Sequence, residues 1–182
     1  MNIPAESNEW GVLKTTSIQH LEFRQNENKK IPKDFEISER WIVNEQDILI
    51  TRAGPTNRVG VVCVVKELTQ NLILSDKTIR IRYMRSFINA DFLAVILNSE
   101  NVQEFILSKV VGMADSQVNI SQDNLKKVKF PLPPLPIQRL IVQRIEAQLL
   151  QVAALEKEVE AQRAWSGMLL QASLQEVLQA EA

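Results

Sequence analysis

The sequence Pro131-Leu132-Pro133-Pro134-Leu135-Pro136 divides the chain into two segments of different composition. Each proline fixes its own φ angle and removes a backbone donor, so this hexapeptide predicts a stiff, extended junction. It also contains the P-x-x-P pattern that binds aromatic-lined grooves, but a rigid linker that leads into a helix is the simpler interpretation. Pro136 suits the first turn of that helix. We therefore expect a domain over residues 1–130, the junction over residues 131–136 and a helical region over residues 137–182.

The segment after the junction has the composition and the apolar spacing of a long helix. It contains no further proline and one glycine, Gly167, and most of its residues favour helix. About 30 residues at ~1.5 Å each span roughly 45 Å, too long for a small domain to cover. A stripe of apolar residues at spacings of three and four therefore predicts a coiled-coil or bundle partner for this helix. The stripe consists of Ile141, Ile145, Leu149, Val152, Leu155 and Val159.

Before the junction, short apolar runs alternate with turn residues, a pattern that predicts β-strands. Residues 47–51 form a predicted strand that ends in the turn over residues 53–57. Residues 59–65 are almost entirely apolar and mostly β-branched, so we expect a strand buried on both faces. Cys63 lies within this run, where we expect it to fill the core and not to act as a reactive thiol.

Positive charge is concentrated in the middle of the chain. The formal net charge is −1, but residues 52–85 carry seven basic and two acidic side chains, a local net charge of +5. Such a surface suits phosphate groups, and a solvated basic face is the alternative. Within residues 78–82, Thr78, Arg80 and Arg82 share one strand face, while Ile79 and Ile81 face the core. A charged strand that only prevents edge aggregation is the alternative there.

After residue 90 the apolar spacing becomes helical. Asp91 is the predicted N-cap of a first helix, Ser99 interrupts it, and a second amphipathic helix follows. Residues 112–121 form a predicted polar loop, and Ser121 is expected to cap a short turn. Strands followed by helices and a last strand predict an α+β (mixed α/β) domain, followed by the long C-terminal coiled-coil-forming helix.

The residue inventory contains no recognisable catalytic or metal-binding motif. Cys63 is the only cysteine and His20 the only histidine, so neither has a companion at metal-ligand spacing. P-loop, dinucleotide-binding and nucleophile-elbow motifs are absent from the sequence. The first ten residues lack a signal-peptide pattern, and no apolar run reaches the roughly 18 residues of a membrane span. We therefore expect no catalytic residue, no metal, no cofactor, no membrane contact and a cytoplasmic location.

The junction and several upstream motifs occur together in one known family. The run Pro131-Leu-Pro-Pro-Leu-Pro-Ile-Gln-Arg139, followed by Ile141-Val142, is the most specific of them. The others are Asp47-Ile-Leu-Ile-Thr-Arg-Ala-Gly54, Val59-Gly60, Leu74-Ser-Asp-Lys77, Arg80-Ile-Arg82 and Asn119-Ile-Ser121. Together they resemble the target-recognition domain and adjoining helix of type I restriction–modification specificity (S) subunits, from about Trp10 to the C-terminus.

The resemblance implies a non-catalytic DNA-recognition function. In that family the specificity subunit binds double-stranded DNA and holds two adenine methyltransferase subunits, which a restriction subunit can join; catalysis belongs to these partners. Family members normally carry two recognition domains and two long antiparallel helices, whereas this chain resembles a half-subunit with one of each. Two copies would then form a homodimer through the long helix and bind a bipartite target with inverted, identical halves. The segment before Trp10 is shorter than usual, which fits a short natural variant, the remnant of a disrupted gene or a fragment.

We expect the DNA contacts on the turn over residues 54–58, the loop over residues 117–121 and the basic strand. Structural functions for the loop residues are the alternative. Two other functions remain open: a protein scaffold or decoy that keeps the helix without DNA reading, and a small enzyme with an unrecognised site. The predicted phosphate contacts are Arg52, Arg58, Lys77, Arg80 and Arg82, and the predicted base-edge contacts are Thr56, Asn57, Gln117 and Asn119. Ser121, in the same loop, is a further predicted DNA contact.

Overall fold

A computed structural model describes residues 3–180, including every side chain in that range except those of Met113 and residues 172–180. The first two and last two residues, which belong to the predicted domains, lie outside this description. The chain divides after Arg139 into two compact units. No helix in the described range has an apolar stretch long enough to cross a membrane.

Most strands precede the helices, as the predicted α+β class requires, and the expected long C-terminal helix is present; the fold class is confirmed. The strands are β1 (Trp10–Leu13), β2 (Asn28–Lys30), β3 (Ile48–Thr51), β4 (Ala53–Gly54), β5 (Val62–Val64), β6 (Asn71–Ile73), β7 (Thr78–Ile81), β8 (Val111–Ala114) and β9 (Gln117–Asn119). The helices are α1 (Ala90–Leu97), α2 (Glu100–Leu107), α3 (Gln122–Leu125) and α4 (Leu135–Ala180), and short 3-10 helices cover Thr15–Ser17, Glu39–Trp41 and Thr56–Arg58.

The sheet β5-β3-β7 separates two apolar clusters. Strand β3 pairs antiparallel with both neighbours, with Leu49 opposite Cys63 on one side and Arg80 on the other. Because successive side chains point to opposite faces, Ile48 and Ile50 pack with α1 and α2, whereas Leu49 and Cys63 pack in the second cluster. That second cluster includes residues of a further sheet, β2-β1-β6.

The apolar run over residues 59–65 is buried on both faces, as predicted, but only Val62–Val64 forms a regular strand. Gly60 interrupts the extended backbone with a φ of 88°. A Cβ atom there would lie 2.8 Å from Ile106 Cγ2, so both the backbone and the packing require glycine. Cys63 is fully buried, and burial raises the pKa of its thiol to about 12. Its predicted place in the core is confirmed.

Helix α1 begins earlier than the sequence predicts. Asn89, and not Asp91, is the N-cap: its side chain accepts a hydrogen bond from Phe92 N at 2.9 Å. Ala90 is buried in the core, which places the helix start before Asp91 and leaves that carboxylate in the first turn. The predicted break at Ser99 is confirmed, because α2 begins at the next residue.

The predicted loop over residues 112–121 is wrong, because β8 and β9 form an antiparallel hairpin. Val111 lies opposite Asn119, and Ala114 lies opposite Gln117. Val118 is the one residue of β9 that is buried, so the alternation of polar and apolar residues is too short to reveal a strand. Ser121 caps α3 as predicted, since its hydroxyl accepts a hydrogen bond from Asn124 N.

Helix α4 has 46 residues and begins inside the predicted junction, with Pro136 in its first turn as expected. At ~1.5 Å per residue its length is about 69 Å. It continues through Gly167, where an added Cβ atom would meet no other atom within 4 Å outside the neighbouring helix backbone.

Candidate functional site

The two segments with predicted base contacts lie side by side. Strand β4 pairs antiparallel with β9, so that Ala53 lies opposite Asn119 and Gly54 opposite Val118. The backbone N–H of Thr56 donates to the Asp115 carbonyl at 2.8 Å, and the Thr56 hydroxyl contacts the same oxygen at 3.1 Å. We call residues 53–58 and 111–119 together the turn–hairpin surface.

The turn is closed at its base by Thr51, which is fully buried. The Thr51 hydroxyl donates to the Arg58 carbonyl and accepts from Val61 N at 3.2 Å. Gly60 N donates to the Thr51 carbonyl at 2.8 Å. These hydrogen bonds join the end of β3 to the residues that lead into β5, and they fix the turn between the two strands.

The turn–hairpin surface presents amide side chains to solvent. Asn57 is exposed in the turn, and Gln117 and Asn119 are exposed on one face of β9 while Val118 points inward. Thr56 is half-buried against the hairpin, and Ser121 is exposed but caps α3. An amide both donates and accepts hydrogen bonds, which is the chemistry that base edges require.

The basic side chains of residues 52–85 differ in exposure once the chain is folded: some are exposed to solvent and others bond within the domain. Lys77 and Arg82 are exposed, and the Lys77 carbonyl accepts from Arg52 N at 2.8 Å, so Lys77 lies beside the start of the turn. Arg52 is half-buried, and its Nε is enclosed without a hydrogen-bond partner among the described residues. Arg52 and Lys77 therefore lie beside the turn. Arg82 lies at the other end of β3, because Ile81 is opposite Ile48.

Arg58 forms hydrogen bonds with residues of its own domain. Its Nη2 donates to the carbonyls of Thr15 at 2.7 Å and Ile18 at 2.6 Å, and its Nη1 donates to Gln19 Oε1 at 3.0 Å. The guanidinium therefore holds the 3-10 helix Thr15–Ser17 beside the turn.

Arg80 has internal partners as well. Its Nε lies 3.0 Å from Asp47 Oδ2, although the N–H is not aligned as a hydrogen bond, and its Nη2 donates to the Ile42 carbonyl. Both charged side chains are mostly buried. Burial raises the pKa of Asp47, and the hydrogen bond from Asn44 N and the Arg80 charge offset only part of that effect. The charge count along the sequence cannot distinguish such a pair from a free cation.

Sequence reasoning missed two features of this region. Ser116 is exposed at the tip of the hairpin, where only a correct strand prediction would have placed it. Lys109, Lys127 and Lys129 line a surface cavity of about 650 Å³. A charge count reveals this second basic segment, because residues 109–129 hold four lysines and two aspartates.

The predicted stripe on α4 is largely exposed. Ile141 and Ile145 are half-buried, and the fractional exposure of Leu149, Val152, Leu155 and Val159 lies between 49% and 61%. A continuous apolar stripe in contact with water indicates a partner surface.

Among the described residues, no group of three or more His, Cys, Asp or Glu side chains is arranged to hold a metal.

Comparison with known proteins points to one family. Residues 8–162 match the type I restriction modification DNA specificity domain. The chain is 43% identical over 137 residues to the specificity subunit of the type I restriction enzyme EcoEI of Escherichia coli, an alignment that covers 75% of this chain and 23% of that relative.

Solved structures share the fold. The crystal structure of the HsdS subunit from Thermoanaerobacter tengcongensis aligns with a TM-score of 0.60 and 21% identity, covering 80% of this chain and 37% of that one. A chain from a structural study of assembly and conformational transition of the type I R-M system aligns with a TM-score of 0.55 and 22% identity, covering 86% and 33%. The chain thus spans about a third of the solved chains and less of the curated relative.

Proposed function

Since the chain belongs to the type I restriction–modification DNA specificity family, we propose that it is a non-catalytic subunit that recognises double-stranded DNA through the turn–hairpin surface. The observation that carries this proposal is the pairing of β4 with β9, which brings the turn that holds the exposed Asn57 beside the strand that holds the exposed Gln117 and Asn119. A two-stranded ribbon fits the major groove, where amide side chains distinguish adenine by two hydrogen bonds.

Phosphate contacts would fix this surface on the duplex. Lys77 and Arg82 have exposed cationic groups, and Arg52 lies at the start of the turn. Contacts of this kind supply salt-dependent affinity for any sequence, whereas the amides supply discrimination between sequences. We leave Arg58 and Arg80 out of the proposed interface because both are bonded within their own unit.

We further propose that the chain directs adenine methyltransferase and restriction subunits to a bipartite target, and that these partners perform the catalysis. In this proposal residues 1–130 form the recognition domain and residues 131–136 the junction. Residues 137–182 then pair with the same helix of a second copy through the stripe on α4. A homodimer of this kind requires a target with two inverted, identical halves.

The test maps methylated adenines in cells that carry the chain with its neighbouring methyltransferase, and then measures binding of the purified full chain to that target and to mixed-sequence duplex. For Asn57→Ala we expect target affinity to fall about 5- to 150-fold, because one good amide–base pair contributes about 1–3 kcal/mol of discrimination. Binding to the mixed duplex should change little. Asn71→Ala, which removes another exposed amide, is the matched control. Equal affinity of the unaltered chain for target and mixed duplex would contradict sequence recognition.

A further inference from the structure

A basic cavity lies at the base of the β8–β9 hairpin, outside the turn–hairpin surface. Lys109, Lys127 and Lys129 line it together with the amides of Asn101 and Asn124 and the ring of Phe105. None of the described residues that line the cavity carries a carboxylate. The lining thus combines three positive charges with two neutral hydrogen-bonding groups, a composition that favours an anion.

The fold places the cavity between the two ends of the hairpin. Lys109 lies two residues before β8 begins, and Asn124 belongs to α3, which follows β9. Asn124 Nδ2 donates to the Lys109 carbonyl at 3.3 Å, which joins the two ends. A ligand in the cavity would therefore lie beside both ends of the hairpin.

The three lysines are exposed, so a ligand can reach their ammonium groups. Among the described residues none of the three forms an ion pair, whereas the neighbouring Lys126 pairs with Asp123 at 3.6 Å. Lys127 Nζ donates only to the neutral Asn124 Oδ1, at 3.2 Å, and Lys109 Nζ lies 5.6 Å from the centroid of the Phe105 ring. A phosphate in the cavity would meet charged and neutral donors that line the same space.

We propose that this cavity binds a backbone phosphate of the duplex whose bases the hairpin contacts, an inference that rests on the proposed function. A four-residue strand at ~3.3 Å per residue sets the hairpin tip about 10 Å from its base. The major groove of B-DNA is about 8.5 Å deep, so a ribbon whose tip reaches the base edges keeps its other end near the phosphates that border the groove. Compact ammonium groups suit such an oxyanion as point charges.

The experiment compares two double variants of the full chain, Lys127→Gln/Lys129→Gln and Lys29→Gln/Lys33→Gln, in binding to mixed-sequence duplex across a range of KCl concentrations. All four lysines are exposed, and each variant removes two positive charges. We expect the cavity variant to bind on the order of tenfold more weakly and to lose about 1 from its salt slope, since one phosphate contact contributes about 0.9. The control should keep a slope close to that of the unaltered chain. Circular dichroism confirms that both variants are folded.

The outcomes separate this inference from the proposed function. If both double variants lose the same affinity and slope, the effect is one of net charge and the cavity assignment is wrong. It is also wrong if the cavity variant keeps its slope while Asn57→Ala loses target discrimination, a result that leaves the proposed function intact. If the unaltered chain binds no duplex at all, the proposed function and the cavity assignment fall together.

Discussion

At the scale of single residues, hydrogen bonding inside the fold decides which cationic side chains can still bind a ligand. Arg58 and Lys77 belong to the same basic stretch of sequence, yet Arg58 donates to two carbonyls and one side-chain amide of its own unit while Lys77 is exposed. A guanidinium in this position can contact a phosphate only by releasing the internal acceptors, which costs the hydrogen bonds that hold them.

Arg58→Ala should therefore lower the free energy of unfolding by about 2–4 kcal/mol, because hydrogen bonds from a charged donor contribute roughly 1.5–3 kcal/mol each and are not additive. Urea titration followed by circular dichroism measures this change. Lys77→Ala is the matched control, and its effect should stay within about 0.5 kcal/mol, as for most exposed substitutions. Unchanged stability of Arg58→Ala together with weaker DNA binding would instead make Arg58 a phosphate contact.

At the scale of elements, one buried amide joins the start of α4 to the start of α1. Gln138 is fully buried, its Oε1 accepts from Asn89 N at 2.8 Å, and its Nε2 donates to the carbonyls of Phe87 at 2.8 Å and Pro133 at 2.7 Å. This explains why a polar residue lies in the apolar context of the junction motif: it satisfies backbone groups that precede α1.

Gln138→Leu keeps a similar side-chain volume but leaves one buried N–H and two carbonyls without their partner. Each unsatisfied group costs about 1–3 kcal/mol, so we expect a loss of at least 2 kcal/mol in the free energy of unfolding. Denaturant unfolding of the full chain gives the value, with Gln143→Leu on an exposed position of the same helix as the control. A loss no larger than that of the control would show that the three bonds do not contribute to stability.

The elements that sequence predicts well are those whose burial shows in local spacing. The buried run over residues 59–65, the break at Ser99 and helix α4 all follow from apolar spacing or composition. The hairpin β8–β9 leaves no clear local pattern, because Val118 is the one buried residue of β9, and the neighbouring strand β4 lies far away in sequence. Gln138 bonds to Asn89, 49 positions earlier, and Arg58 bonds to Ile18, 40 positions earlier, so no local pattern reveals either contact.

At the scale of the whole molecule, the exposed stripe on α4 determines the proposed assembly. The side chains that carry it recur along one face, and polar or small residues such as Gln143, Ala154 and Ala161 occupy the opposite face. Apolar side chains in this arrangement are stabilised when a second helix covers them. A second copy of the chain supplies the same stripe, which is why the proposed homodimer needs no further protein.

Two charges introduced into the stripe should separate the copies. A single chain has a mass of 20.7 kDa, so sedimentation velocity should give twice 20.7 kDa for the unaltered chain and 20.7 kDa for Val152→Glu/Val159→Glu. The reason is that a carboxylate in an apolar helix–helix seam loses its hydration without gaining a partner. Ala154→Glu/Ala161→Glu adds the same charges at the same spacing on the opposite face and should remain dimeric. Dissociation of both variants would point to charge repulsion, and an unchanged mass of the stripe variant would place the interface elsewhere.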